Sequence, residues 1–173
     1  MDIYIIETNK AEKVSKETLK AYQKKEISNE KKWQTHCLAY LLVDKFLDEV
    51  YNIKSREIVF DNGKPVLIDG GKHFSISHSE DLIALAFSDS NCGVDIEKIK
   101  LREFQSISER MGFDANTLGE FYEEWTRYEA IYKLNSNQEY GSIAVYDLDD
   151  YALTAVSEDP CEDFELFCQL DNE

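Results

Sequence analysis

The chain has 173 residues, of which 43% are apolar and 31% are charged, and its formal net charge is -16. This length and composition predict one compact domain with a buried core, and they exclude a disordered or low-complexity chain. The acidic excess argues against nucleic acid as a partner, because a phosphate backbone would be repelled over most of the surface.

The first residues and the cysteines predict a cytoplasmic protein. Residues 1–13 hold a short apolar stretch without a basic segment, and no apolar run in the chain is long enough to cross a bilayer. We therefore expect no membrane as a partner. The cysteines show no C-x-x-C pairing, which predicts buried, reduced thiols and not a zinc site; they are Cys37, Cys92, Cys161 and Cys168.

Basic residues are concentrated in the first part of the chain, and none follows Lys133. An anionic ligand or partner is therefore expected to approach the amino-terminal half. The alternative is a solvated helix face of mixed charge. The lysines concerned are Lys10, Lys13, Lys16, Lys20, Lys24, Lys25, Lys31 and Lys32.

The first fifty residues predict a strand and two helices. The apolar residues 3–6 suit a strand, and residues 16–24 suit a short helix with Ser15 as its N-cap. In residues 33–50 the apolar positions recur at steps of three and four. This spacing predicts a longer helix with one buried face.

From residue 57 onward the pattern changes to short strands. Residues 58–60 and 65–68 flank the sequence Asp61-Asn62-Gly63, which predicts a hairpin. Further strands are expected at residues 74–77, 82–87 and 93–96. Residues 116–134 then predict a helix, and residues 143–146, 151–156 and 164–167 predict closing strands.

This order of elements predicts an α+β fold. We expect a single domain over residues 1–173, made of two similar α/β halves packed pseudo-symmetrically. The halves would cover roughly residues 1–100 and 101–173.

Two acidic residues, Asp95 and Glu97, stand two positions apart on the predicted strand at residues 93–97. Strand alternation places both side chains on one face, where two carboxylates repel each other unless a cation offsets them. Mg²⁺ takes such oxygen ligands and keeps waters for a substrate phosphate. The alternative is an exposed strand end with solvated acids.

A second group lies on the predicted helix at residues 116–134. Trp125, Glu129 and Lys133 are spaced by four and therefore line one helix face. The alternative is an ordinary surface Glu-Lys pair, which contributes only about 0.3–0.5 kcal/mol.

A third group closes the strand at residues 74–79, which has the sequence F-S-I-S-H-S. The hydroxyl of Ser77 and the imidazole of His78 are donors that suit the oxygens of a phosphate. The alternative is a structural histidine with its hydrogen bonds satisfied inside the protein.

In order and spacing, these segments resemble the 4'-phosphopantetheinyl transferase superfamily. The family motifs G-K-P, F-N-(I/L)-S-H-S, G-(I/V)-D-x-E and W-(S/T)-x-K-E-(A/S)-x-x-K are similar to the segments that begin at Gly63, Phe74, Gly93 and Trp125. The resemblance covers nearly the whole chain. It is to the larger, monomeric, surfactin-type class, which has two pseudo-symmetric halves.

The resemblance implies Mg²⁺-dependent transfer of the 4'-phosphopantetheine group of coenzyme A to a serine of an acyl or peptidyl carrier protein, with release of adenosine 3',5'-bisphosphate. Such carriers serve fatty acid, polyketide or nonribosomal peptide biosynthesis. Asp95, Glu97 and Glu129 would hold Mg²⁺, and Glu129 would also act as the general base. Lys133 would contact the pyrophosphate, and coenzyme A would be bound by Lys133 with Lys64, Pro65, Ser77 and His78.

Several residues depart from the family pattern. Tyr128 stands where the family has the lysine before the helical glutamate, and Ser75 replaces an asparagine. The usual basic contacts to the 3'-phosphate are also replaced, by Gln34, Thr35 and Asp44, with Lys24, Lys25, Lys31 and Lys32 as candidate substitutes. Three hypotheses follow: a working transferase, a diverged member that binds carrier protein or coenzyme A without chemistry, and an acidic interaction protein.

Overall fold

The computed structural model describes residues 1–134, 139–160 and 162–169. Its mixture of helices and strands agrees with the predicted α+β class. The strands are β1 (Asp2–Glu7), β2 (Ile58–Asp61), β3 (Lys64–Leu67), β4 (His73–Ser79), β5 (Leu82–Ser88), β6 (Cys92–Lys98), β7 (Ser142–Leu148), β8 (Tyr151–Ser157) and β9 (Glu165–Gln169). The helices are α1 (Lys16–Ala21), α2 (Glu30–Glu49), α3 (Gln105–Met111) and α4 (Leu118–Leu134), with a 3-10 helix at Thr8–Lys13.

The strands form two sheets and a separate hairpin. Sheet 1 has the order β4-β5-β1-β9, with β1 antiparallel to β5 and parallel to β9. Sheet 2 has the order β6-β8-β7 and is antiparallel, and among the described residues β2 pairs with β3 alone. Pairing therefore does not follow the division near residue 100, since β6 joins later strands and β9 returns to β1. The pseudo-symmetry of two halves stays a prediction.

The two sheets stack between two helices. On β1, Tyr4 and Ile6 pack in the cluster formed with α2, whereas Ile3 and Ile5 pack in the cluster formed with sheet 2. A strand covered on both faces carries a continuous apolar run, which is why residues 3–6 show no alternation.

Helix α4 covers the other face of sheet 2. Ala130 and Leu134 pack with Val156 of β8, and the hydroxyls of Thr126 and Thr154 lie 2.9 Å apart inside this contact. The layers are therefore α2, sheet 1, sheet 2 and α4. This arrangement brings the edge strand β4 beside β6 and the carboxyl end of α4.

The helix ends follow local capping rules. The predicted N-cap Ser15 is confirmed, since its hydroxyl accepts an amide of the first turn of α1 at 3.2 Å. Asn29 caps α2 in the same way at 2.9 Å, so that helix begins before the first apolar residue of the pattern. Thr117 and Glu120 form a reciprocal capping box at the start of α4, with distances of 3.2 and 3.0 Å.

The predicted hairpin is confirmed. Asn62 and Gly63 have φ values of 48° and 87°, as a two-residue turn between antiparallel strands requires. Whereas Ser15 marks the start of the shorter α1, helix α3 was not predicted, because its N-cap residue is Phe104, whose side chain makes no capping hydrogen bond. Its one clear signal is Gly112, which ends the helix in the left-handed conformation.

The prediction of buried thiols holds for two of the cysteines. Cys37 and Cys92 are buried and free. Cys168 is exposed, contrary to the prediction, because its part of β9 borders an open cavity. Cys161 lies outside the described residues. Across the described part of the chain, no helix combines the length and apolar character needed to span a membrane.

Candidate active site

A cavity of about 730 Å³ opens between α2, the β2-β3 hairpin, β4 and the end of α4. Within the described ranges, its walls carry no Asp or Glu side chain. In a chain with a net charge of -16, this cavity therefore concentrates positive charge and favours anions. Its basic side chains are Lys24, Lys25, Lys64, Lys133, His36 and His78.

The segment after α1 supplies two of these lysines. The backbone N–H of Lys24 donates to Nε2 of His36 at 3.3 Å, and its ammonium lies 5.9 Å from the centroid of the Tyr40 ring. Lys24 and Lys25 are thus the amino-terminal lysines that line the cavity. Lys31 instead pairs with Asp81 at 3.2 Å.

The hairpin places Lys64 and Pro65 on another wall of the cavity. The ammonium of Lys64 donates to the carbonyl oxygen of Cys92 at 2.7 Å and to the side chain of Asn91. Asn91 in turn donates to the carbonyl oxygen of Leu134 at 2.6 Å. Burial lowers the pKa of Lys64. The hairpin is therefore tied to β6 and to the end of α4.

Strand β4 sends Ser77 and His78 in opposite directions. His78 lines the cavity, whose walls desolvate it and, with Lys133 and Lys25, hold the pKa of its imidazole below the usual range. Ser77 is buried on the other face, and its hydroxyl donates to Oδ1 of Asp95 at 2.7 Å. Of this predicted pair, only His78 reaches the cavity.

Lys133 joins the basic cavity to the acidic residues. Its ammonium donates to Oδ1 of Asp95 at 2.6 Å, to the hydroxyl of Ser77 at 3.0 Å and to the carbonyl oxygen of Val94 at 3.2 Å. These contacts use all three protons of the ammonium. Of the predicted helix face, Lys133 is therefore directed at β6, whereas Trp125 packs on Phe113 and Phe121.

The carboxylates of Asp95, Glu97 and Glu129 influence one another. Burial raises the pKa of Glu97, and the charges of Asp95 and Glu129 raise it further. The hydrogen bond from Ser79 at 2.7 Å lowers this pKa and offsets part of the rise. Burial and the charge of Asp95 also raise the pKa of Glu129, while Lys133 lowers it. A cation near these groups would relieve the repulsion.

One atom of this acidic group is unpaired. Oδ2 of Asp95 is buried and has no hydrogen-bond partner among the described residues. A buried carboxylate oxygen without a partner fits a cation ligand. No set of three or more His, Cys, Asp and Glu side chains in the described ranges is assembled to hold a metal ion. Convergence of Asp95, Glu97 and Glu129 on one ion stays a prediction.

Tyr128, which replaces the family lysine, belongs to an aromatic cluster. Its ring centroid lies 6.1 Å from that of Phe113 and 6.4 Å from that of Trp125, and 40% of the residue is exposed. Trp125 also packs on Phe113 and Phe121. The position thus contributes packing where the family motif has a charge.

The replaced basic contacts on α2 have other structural roles. Asp44 accepts hydrogen bonds from Arg56 at 2.6 Å and from Tyr22 at 3.0 Å. Gln34 and Thr35 line a separate cavity near the start of α2. The next residue, His36, faces the basic cavity, and the sequence patterns did not single it out.

Comparison with known proteins identifies relatives of the chain. The 4'-phosphopantetheinyl transferase gsp of Aneurinibacillus migulanus is 32% identical over 133 residues, which cover 69% of this chain and 55% of that protein. The 4'-phosphopantetheinyl transferase psf-1 of Bacillus pumilus is 32% identical over 113 residues, which cover 56% and 48%.

No family model matches the chain. The chain spans about half the length of these curated relatives. The similarity nevertheless includes most of the chain and agrees with the resemblance found in its motifs. These two relatives support the placement of the chain in the 4'-phosphopantetheinyl transferase superfamily.

Proposed function

We propose that this chain transfers the 4'-phosphopantetheine group of coenzyme A to a serine of an acyl or peptidyl carrier protein, and that adenosine 3',5'-bisphosphate is released. One observation carries this proposal: the basic cavity of an otherwise acidic chain meets the carboxylate of Asp95 through Lys133. The names of the two curated relatives support the class of reaction.

Coenzyme A suits the cavity in size and charge. A volume of about 730 Å³ lies within the usual range for sites that bind small molecules. Coenzyme A carries a 3'-phosphate and a pyrophosphate, and lysine and histidine donors stabilise such groups by charge-assisted hydrogen bonds. In this proposal Lys24, Lys25, His36 and His78 bind the adenosine end, next to Lys64 and Pro65.

The reaction forms one phosphorus–oxygen bond and breaks another. The hydroxyl oxygen of the carrier serine attacks the phosphorus that bears pantetheine, and the pyrophosphate bond to the adenosine-side phosphate breaks. Glu129 takes the serine proton, directly or through one water, and its raised pKa suits a general base. Lys133 offsets the charge that develops on the leaving phosphate.

Asp95, Glu97 and Glu129 would hold Mg²⁺ in this proposal. The buried, unpaired Oδ2 of Asp95 and the raised pKa values of both glutamates support a cation there. When bound, Mg²⁺ would neutralise charge on the pyrophosphate oxygens. The chain would act as a cytoplasmic monomer, with the carrier protein as its partner.

Binding of adenosine 3',5'-bisphosphate tests the cavity without the chemistry. The variant Lys25→Gln should weaken binding roughly ten-fold, the loss expected for one charge-assisted hydrogen bond. Lys20→Gln is the matched control, because Lys20 is exposed on α1 and does not line the cavity. Calorimetry that gives both variants the same affinity would contradict this site.

A further inference from the structure

Three serines of β4 connect the two sheets. Strands β4 and β6 belong to different sheets, and the serine hydroxyls bridge them. Each hydroxyl oxygen accepts one hydrogen bond from a backbone N–H of β6, and the three donors are alternate residues of that strand. The distances are 3.1 Å from Val94 to Ser75, 3.3 Å from Ile96 to Ser77 and 3.0 Å from Lys98 to Ser79.

A serine hydroxyl that accepts an amide still has its own proton to donate. Ser77 donates to Asp95 at 2.7 Å, and Ser79 donates to Oε2 of Glu97 at 2.7 Å. The equivalent β6 position beside Ser75 is Gly93, which has no side chain. Two of the three serines therefore donate to carboxylates, and within the described residues Ser75 makes the bridge alone.

We propose that Ser79 is a positioning residue, which holds the carboxylate of Glu97 in the orientation that binds a divalent cation. The backbone N–H of Lys98 donates to the hydroxyl oxygen of Ser79 and fixes its position. The hydroxyl proton of Ser79 is thereby directed at the carboxylate of Glu97. This inference rests on the proposed function, because it takes Glu97 as a metal ligand.

Glu97 needs such a partner more than Asp95 does. Asp95 is short, buried and held by both Ser77 and Lys133. Glu97 has a longer side chain and is only partly buried, so more torsions must be ordered before it can coordinate an ion. Hydrogen bonds that orient metal ligands in advance strengthen metal binding.

The matched pair Ser79→Ala and Ser75→Ala tests the proposal. Each variant removes one acceptor from the same bridge, but only the change at residue 79 frees a carboxylate. Mn²⁺ binding, measured by electron paramagnetic resonance without coenzyme A, should weaken about ten-fold or more in Ser79→Ala. Ser75→Ala should bind Mn²⁺ as tightly as the unmodified chain does. Ser79→Thr retains the hydroxyl and should also keep the unmodified affinity for Mn²⁺.

Equal Mn²⁺ affinity in Ser79→Ala and Ser75→Ala would overturn the positioning role, whether both are unchanged or both are weakened. If the unmodified chain binds no Mn²⁺ or Mg²⁺, the metal site of the proposed function fails first, and this inference fails with it. Should Ser79→Ala not fold, Ser79→Cys serves instead, because a thiol of similar size is a weak donor. It should also lower the affinity.

Discussion

Gly93 lies so close to α4 that a Cβ atom built on it would be 2.0 Å from the carbonyl oxygen of Ala130. Helix α4 can approach β6 to this depth only because residue 93 has no side chain. Ala130 follows Glu129 directly and precedes Lys133 by three residues. The contact between Gly93 and Ala130 therefore sets how far Glu129 and Lys133 lie from Asp95.

Gly93→Ala should destabilise the chain and displace the site. The added methyl group overlaps backbone that cannot rotate away, so we expect the free energy of unfolding to fall by about 3 kcal/mol in urea titrations. The control is Gly119→Ala on α4, where the nearest atom to a new Cβ is 4.0 Å away. That change should stabilise the helix by about 0.5–1 kcal/mol. Similar losses at both positions would contradict the packing argument.

Lys133→Met should lower stability when no divalent cation is present. The substitution leaves the buried carboxylate of Asp95 without its ion-pair partner, and we expect the free energy of unfolding to fall by about 3 kcal/mol. This value is at the lower end for a broken buried ion pair, because 28% of the Lys133 side chain is exposed. Lys31→Met breaks an exposed pair with Asp81 and should cost at most about 0.5 kcal/mol.

Mg²⁺ should return part of the stability lost in Lys133→Met, because a ligand that binds only the native state raises the melting temperature. Thermal melts with and without Mg²⁺ measure this effect. Equal stability losses in Lys133→Met and Lys31→Met would show that Asp95 does not depend on the lysine.

Binding of adenosine 3',5'-bisphosphate should strengthen as the pH falls below the ordinary histidine value of 6.5. Burial lowers the pKa of His36 and His78, with Lys25 adding to the effect at His36 and Lys133 at His78. A bound phosphate raises both pKa values again, so the complex takes up protons that the free chain lacks. Binding is then favoured at low pH.

The variant His78→Gln should show a smaller gain in affinity between pH 8 and pH 6 than the unmodified chain. The ligand's own protonation affects both proteins equally and cancels in this comparison. Calorimetry at each pH measures the two slopes, and identical slopes would remove His78 from the phosphate site.

Glu162 should contribute stability that is lost in acid. Its carboxylate accepts hydrogen bonds from Ser88 at 2.9 Å and Ser157 at 3.0 Å. Burial alone would raise the pKa of Glu162, but bonds from the amino-terminal group and these serines hold it below the ordinary 4.5. A carboxyl with a lowered folded-state pKa stabilises the protein above the unfolded-state value and loses this effect as the pH falls through the folded-state value.

Glu162→Gln should therefore reduce stability at pH 7 and flatten its decline between about pH 5 and pH 3. Urea titrations across this range give the comparison. Glu109→Gln, at an exposed position of α3, is the control and should keep the decline of the unmodified chain. An unchanged decline in Glu162→Gln would contradict the role of these hydrogen bonds.

Local patterns predicted most of the elements but not their pairing. Some features depend only on residues that are neighbours in the chain, and a local sequence pattern can therefore predict them. They include the apolar run of β1, the turn at Asn62 and Gly63 and the cap at Ser15. The pairing of β6 with β8 and the return of β9 to β1 join residues far apart in the chain. No short-range pattern encodes such contacts.

The candidate site was predictable to a similar extent. The resemblance to the transferase family implied that Lys64, His78 and Lys133 share one site, and all three line one cavity. Strand alternation would have shown that Ser77 and His78 face opposite sides of β4. His36 could not be recognised, because its role depends on where the segment of Lys24 crosses α2.

The most direct test of this account is mass spectrometry of apo carrier proteins after incubation with the chain, coenzyme A and Mg²⁺. The account predicts that a carrier gains the mass of one 4'-phosphopantetheine group, and that Glu129→Gln slows this at least about a hundred-fold through loss of the general base. No mass gain on any acyl or peptidyl carrier, while the chain still binds coenzyme A, would contradict the proposed transfer.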